Sequence, residues 1–315
     1  MELTEHYQPE FVRRFMARDS VCECQACRNA PQGWPYISIK MKNQQRESLD
    51  MACETAAREI VLNPEAFVLH TSQAPAQGEE VLSGWSEVLN QQCINLAIHP
   101  ALSHDERLYA IGILLSKAQQ YRDNGEHDPA LLASMGDQLA SLADQGILSQ
   151  QFTMLPEIPE NPCAVLKEMG AIRLTLNLPM AEKMVISLKL SELGIMSPSR
   201  LAERLDALKS HWQTIPLFNE QPWLLNNILL YALYSRIFPG LHCDNYGEAF
   251  LNLARTFFRL KAICSIRCDE RQELSPEDVA MLASALEAWQ SKNPSPSPAQ
   301  YTADYRLLHG LSLLR

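Results

Sequence analysis

Residues 223–238 and 246–263 constrain this chain more than any others. From Trp223 to Phe238 the side chains are apolar nearly all round a helical wheel, until Pro239-Gly240 stops the run. Tyr246 through Ile263 is a second strongly apolar stretch, with Phe250, Leu253, Phe257 and Leu260 at helical spacing. A helix without a polar face is stable in water only when other elements cover it on every side. Both runs fall short of the roughly 20 apolar residues that cross a bilayer, so their cover must come from the protein itself and no membrane partner is expected.

The surrounding sequence reads as helices that supply this cover. Proline at a first turn and glycine past a last turn punctuate it repeatedly. Asp128-Pro129 opens a stretch that closes at Gly146, and Asn161-Pro162 opens a short one ending at Gly170. Ser197-Pro198 starts a segment running toward Trp212, and Ser275-Pro276-Glu277-Asp278 starts one reaching Trp289. Ser103-His104-Asp105-Glu106 has capping-box spacing, after which Leu108, Ile111, Leu114 and Leu115 share a face before Gly125. Residues 70–80 and 291–299 are polar and proline-bearing and read as exposed loops. No fixed-period repeat supports a solenoid. The expected fold is all-α, a single multi-helix domain over residues 47–315, fronted by a small irregular cysteine-containing lobe over residues 1–46.

That front segment differs in charge as well as pattern. It carries seven Lys or Arg and five acids, so it stands at +2 while the remainder stands at −12. The whole chain has 27 basic and 37 acidic residues, which argues against a broadly basic surface and a nucleic-acid partner. Tyr36-Ile37-Ser38-Ile39-Lys40-Met41 alternates like one short strand after the turn Pro31-Gln32-Gly33-Trp34-Pro35. Met1-Glu2-Leu3-Thr4-Glu5 has neither the basic nor the apolar region of a signal peptide, so a cytoplasmic location is expected. There, nine cysteines would be thiols or metal ligands rather than disulfides.

Cys22-Glu23-Cys24-Gln25-Ala26-Cys27 is the most specific chemical signal. Thiolates are soft ligands for zinc or iron–sulfur clusters, and loop positions two and three apart can turn their sulfurs toward one centre. Cys53 is the nearest fourth ligand. The bland alternative is a group of partly buried thiols that hold nothing. Cys264 and Cys268, with His242-Cys243 upstream, form a weaker set: they share a helix face, but Cys264 continues an apolar stripe and reads as core packing. Cys93 and Cys163 also read as core. No HExxH pair, GxSxG elbow, Walker loop or GxGxxG fingerprint occurs.

Several segments taken together resemble the flagellin lysine N-methylase family of bacteria. Pro9-Glu10-Phe11-Val12-Arg13-Arg14-Phe15, followed by Cys22, Cys24, Cys27 and Gly33-Trp34, is similar to that family's opening. Ser48-Leu49-Asp50-Met51-Ala52-Cys53, with Asn63-Pro64 after it, resembles a second landmark, and Leu102 through Gly112 a third. Asn226-Asn227 through Phe238-Pro239 resembles an Asn-Tyr…Phe-Pro helix near the family's C-terminus. Two departures stand out. Only thirteen residues, 35–47, separate Trp34 from Ser48, where the family carries a further cysteine-rich stretch, and Glu54 stands where proline usually follows the cysteine. Ser20 occupies the position that would complete a CxxxCxxC pattern.

The resemblance implies methyl transfer from S-adenosylmethionine to lysine side chains of flagellin, with an iron–sulfur cluster on Cys22, Cys24, Cys27 and Cys53 and zinc as the alternative. Tyr231, Tyr234 and Tyr246 are candidates for an aromatic wall facing the sulfonium, against a plainer reading as helix packing. The rival reading, suggested by the missing cysteine stretch, is a catalytically inactive helical binding or adaptor protein in a flagellar or secretion context. The oligomeric state has no signature in the sequence.

Overall fold

A computed structural model of the chain describes residues 3–19, 22–271, 273–294 and 301–315. In order, these form β1 (Leu3–Pro9), α1 (Glu10–Met16), α2 (Gln25–Arg28), β2 (Tyr36–Lys40), β3 (Gln44–Leu49), α3 (Glu54–Val61) and β4 (Leu69–Pro75). Helices then follow without interruption by strands: α4 (Gly84–Ala97), α5 (His104–Asp123), α6 (Pro129–Asp144), α7 (Ile147–Thr153) and α8 (Glu160–Glu168). After a 3-10 turn at Met169–Ala171 come α9 (Met180–Leu193), α10 (Pro198–Thr214), α11 (Leu217–Glu220), α12 (Trp223–Tyr234), α13 (Tyr246–Arg271), α14 (Pro276–Gln290) and α15 (Ala303–Ser312). The fold is therefore mostly helical rather than all-α. Two compact units divide the chain, one from residues 1–81, 162–228 and 259–295, the other from residues 82–161, 229–258 and 296–315.

The first unit holds a four-stranded sheet in the order β2-β3-β1-β4. β1 and β3 are parallel, pairing Glu5 with Gln44 through Tyr7 with Arg46, and the other neighbours are antiparallel. This sheet corrects the expectation of an irregular lobe and of a helical pattern from Glu47 onward. β3 escapes sequence reading because its residues, Gln44-Gln45-Arg46-Glu47-Ser48-Leu49, are polar up to Leu49 and yet all buried. A buried polar group must find a partner inside the protein. Here Gln45 Nε2 donates to the Pro75 carbonyl at 2.6 Å, Arg46 Nε to Gln44 Oε1 at 2.8 Å, and Ser38 Oγ to Glu47 Oε1 at 3.1 Å. β4 likewise lies in the stretch expected to be a loop. Its seven pairs with β1, from Leu3–Pro75 to Pro9–Leu69, satisfy its main chain while its mostly exposed side chains stay polar. Such an edge position also tolerates Pro75 at the strand end. Of the other expected loop, residues 295–299 lie outside the described residues.

Helices α1 and α14 pack on α3 beside the sheet. Asn227, 3% exposed, donates from Nδ2 to the carbonyl of Asn63 at 2.7 Å, which ties α12 to the turn after α3. α14 starts where Ser275-Pro276 predicts, and it carries a capping box: Ser275 Oγ accepts from the Asp278 amide, while Asp278 Oδ2 accepts from the Ser275 amide.

In the second unit, α4 packs on α5 and α6, and α5 on α15. Leu108, Ile111, Leu114 and Leu115 are fully buried, and Ser103 and Glu106 cap α5 as their spacing predicts. Gly112 is required by packing, because a Cβ there would sit 2.8 Å from the Phe250 ring. Near the end of α12, Leu229, Leu230, Tyr231, Leu233 and Tyr234 are buried, as the apolar pattern predicts. Their helix end is closed by Asn90, whose Nδ2 donates to the Leu233 and Phe238 carbonyls at 2.9 and 3.0 Å. Among the described residues no helix is long and apolar enough to cross a membrane.

Candidate functional site

Three local devices bring distant cysteines together in the first unit. The segment carrying Cys22 and Cys24 leads into the single turn of α2, whose N-cap is Cys24 and which contains Cys27. The turn that follows is tied to the end of β3: the Asp50 amide donates to the Pro35 carbonyl at 2.7 Å and Trp34 Nε1 donates to Asp50 Oδ2 at 3.1 Å. Asp50 Oδ1 then accepts from the Ala52 amide at 2.9 Å, shaping the turn that ends at Cys53, the N-cap of α3. As a cap, Cys53 Sγ accepts from the Ala56 amide at 3.5 Å, a role usually taken by Ser or Asp.

The outcome is a tight sulfur group. Cys53 Sγ lies 3.6 Å from Cys27 Sγ and 3.7 Å from Cys22 Sγ, and the sulfurs of Cys22, Cys24, Cys27 and Cys53 all fall within 4.8 Å of one another. Cys53 is fully buried and the other three are half-buried. Among the described residues this is the group of thiols, imidazoles and carboxylates arranged to hold a metal ion, and it unites all four cysteines singled out in the sequence. Ser20 itself lies outside the described residues.

The spacing can be tested against candidate centres. Four sulfurs at about 2.3 Å around a tetrahedral ion stand about 3.8 Å apart, close to the separations found here. A cluster interposes several irons between the same four thiolates and so needs them spread further. The donor set suits both. The four cysteines can hold a metal.

Protonation also differs within the group. Burial pushes the Cys22 thiol up, but hydrogen bonds from Thr55 Oγ1, at 3.0 Å, and from the Cys24 amide outweigh it and bring Cys22 down to about 7 from the ordinary 9.0. For Cys53, burial dominates and lifts the thiol to about 12, and for Cys27 burial and the neighbouring thiols raise it further. A metal-free site therefore carries Cys22 poised to ionise near pH 7 beside Cys27 and Cys53, whose thiols are held protonated.

Directly past Cys53, the first turn of α3 forms one wall of a polar chamber of about 170 Å³. Glu54, Arg58, Asn177, Arg267, Glu277 and Asp278 line it. Arg267 is 1% exposed and lies between two carboxylates, its Nε donating to Asp278 Oδ1 at 3.0 Å and its Nη1 to Glu182 Oε2 at 2.7 Å. Burial by itself would raise the Asp278 carboxyl, yet hydrogen bonds from Ser275 and Arg267 hold it below its ordinary value. Nothing in the cysteine motifs announces this chamber. Its one sequence signal is an arginine set among Cys264, Ile266 and Cys268.

Several of the remaining candidates fall as packing. Cys264 and Cys93 are fully buried, and burial raises both thiols. Tyr231 and Tyr234 are buried in α12. Tyr246 has a wider role, because it lines a cavity of about 620 Å³ in the second unit with Trp85, Arg122, His127 and Asp244. Trp85 Nε1 donates to the Tyr246 hydroxyl at 2.9 Å, and Arg122 stacks over the Tyr246 ring while pairing with Asp244.

Comparison with known proteins gives this architecture a family. The chain is 23% identical over 290 residues to the lysine-N-methylase of Salmonella typhimurium, an overlap covering 84% of this chain and 70% of that protein. It is 22% identical over 288 residues to the lysine-N-methylase of Salmonella choleraesuis, with the same shares covered. No solved structure is significantly similar. Residues 90–298, about two thirds of the chain, match the FliB lysine N-methylase C-terminal domain, a span that begins after the four clustered cysteines. The matched span includes the apolar helices α12 and α13 that organise the fold, and on this match the chain belongs to the FliB lysine N-methylase family.

Proposed function

We propose that this protein is a protein-lysine N-methylase that takes its methyl group from S-adenosylmethionine, acts on flagellin, and carries a metal centre on Cys22, Cys24, Cys27 and Cys53. What supports the reading is the gathering of four sulfurs within 4.8 Å in a chain of this family. The transfer forms a bond from the lysine nitrogen to the methyl carbon and breaks the carbon–sulfur bond, so the sulfonium becomes a neutral thioether. The amine must attack as the free base, because its lone pair makes the new bond. Lysine loses its proton near pH 10.4 in water, so the protein must lower that value by desolvation or a neighbouring base.

An iron–sulfur cluster is the centre that the family resemblance favours, and a single zinc ion is the one that the sulfur spacing favours. Either would anchor the N-terminal segment to α3. Binding of either converts thiols to thiolates, so at pH 7 it releases the protons of Cys27 and Cys53, whose thiols are raised well above that pH. The test is to purify the protein without oxygen, measure iron, zinc and acid-labile sulfide, and incubate it with labelled donor and flagellin. Label in flagellin lysines, lost when Cys53 is replaced, supports the whole reading. A metal-bearing protein that leaves flagellin unlabelled while retaining it as a stoichiometric complex supports the adaptor reading, which the short 35–47 connection favours.

A further inference from the structure

We infer that the polar chamber beside Cys53 binds the α-amino-acid end of a small molecule, and that in this protein the molecule is the methyl donor. The identity of the donor rests on the methylase reading, whereas the zwitterion site rests on the chamber alone. Arg267 is 1% exposed, lines the chamber, and has one guanidinium nitrogen, Nη2, buried without a hydrogen-bond partner. A buried charged donor left unmade is costly, and a carboxylate is the group that satisfies a guanidinium best. Arg58, on the second turn of α3, adds a second guanidinium to the lining and has no ion-pair partner among the described residues.

The opposite charge is present as well. Glu54 and Glu277 line the same space, and Asp278 is already committed to Arg267 and Ser275. Two guanidiniums and two carboxylates that make no ion pair among the described residues suit a ligand carrying both a carboxylate and an ammonium, not a simple anion or cation. The volume agrees: about 170 Å³ accommodates an amino-acid end, below the roughly 300–1,000 Å³ typical of drug-sized ligands. Glu54 follows Cys53 directly and Asn177 Nδ2 donates to Glu54 Oε2 at 3.3 Å, so the chamber wall and the sulfur group share the first turn of one helix. A donor anchored here by its amino-acid end would be held at the first turn of α3, next in sequence to Cys53.

Calorimetry on the full-length, metal-loaded protein tests this with S-adenosylmethionine, its decarboxylated analogue and L-methionine as probes. Loss of the carboxylate contact should weaken binding about tenfold for the decarboxylated donor, and Arg58→Ala should weaken the intact donor similarly. Glu277→Gln should weaken all three probes, since each carries the amine. Arg58 and Glu277 are not part of the buried pair, so their variants test the site even where Arg267→Met fails to fold, and metal content on each variant reports an intact sulfur group. Equal binding of intact and decarboxylated donor, with Arg58→Ala unchanged, overturns the chamber assignment while leaving methylation of flagellin standing. L-methionine that binds in an Arg58-dependent way, with no binding of the donor, supports the chamber and overturns the donor reading. Absence of binding by both overturns the inference.

Discussion

Two groups of cysteines in the same unit have opposite fates. Cys264 and Cys268 stand one turn apart on α13, and both are buried in the core. Cys22, Cys24, Cys27 and Cys53 come from a loop, a single helical turn and a helix cap, and their sulfurs converge. On the helix, regular geometry points both thiols into one packed surface, and burial keeps them protonated. In the loop group the backbone is free to aim each sulfur, and polar neighbours such as Thr55 favour the thiolate at one of them. A thiol becomes a ligand through the groups around it, more than through its spacing in sequence.

That contrast can be broken by measurement. The largest difference should appear in alkylation of the metal-free protein at pH 7, where Cys22, poised near half-ionised, should react about a thousandfold or more faster than Cys264. Mass-mapped iodoacetamide kinetics read this, and comparable rates would erase the distinction. Because the folded-state value is lowered, Cys22 reactivity should rise with pH through about 7 and flatten above it, well before an ordinary thiol near 9.0 responds. Next in size is metal retention. Cys53→Ala should cost about a hundredfold or more in affinity, whereas Cys264→Ala should leave metal content unchanged, as metal analysis after dialysis against a chelator can show.

Smaller effects sharpen the same comparison. Cys264→Ser places a hydroxyl where a fully buried thiol packs, and should lower unfolding free energy by about 1–3 kcal/mol in denaturant titration, without touching the metal. Thr55→Val removes the hydrogen bond to Cys22 Sγ, so the Cys22 thiol should climb toward its ordinary value and its alkylation at pH 7 should slow by about three- to tenfold. An unchanged rate would mean that the Thr55 hydroxyl does not hold the thiolate.

Much of the helical body is legible without coordinates. The capping residues Ser103, Asp128, Ser197 and Ser275 mark helix starts where the structure has them, and the all-round apolar stretch from Trp223 forms a buried helix. Capping and amphipathic periodicity are local, so a short window of residues contains the information. The sheet is not legible in this way. β3 has no alternating apolar pattern because both of its faces are buried, with Gln45 donating to the Pro75 carbonyl of β4 and Glu47 meeting Ser38 of β2 and His6 of β1.

The sequence by itself determined that this is a mostly helical protein with a thiol motif at its front and two apolar helices near its end. Those properties follow from side-chain chemistry repeated at helical or loop spacing. Tertiary structure alone decided that Cys53 joins Cys22, Cys24 and Cys27, through Asp50 binding Trp34 and the turn before α3. It also decided that Arg267 enters a chamber walled by Glu54 and Arg58, more than two hundred positions earlier in the chain. The reason is physical: a hydrogen bond or an ion pair acts over a few ångströms, and only folding determines which residues come that close.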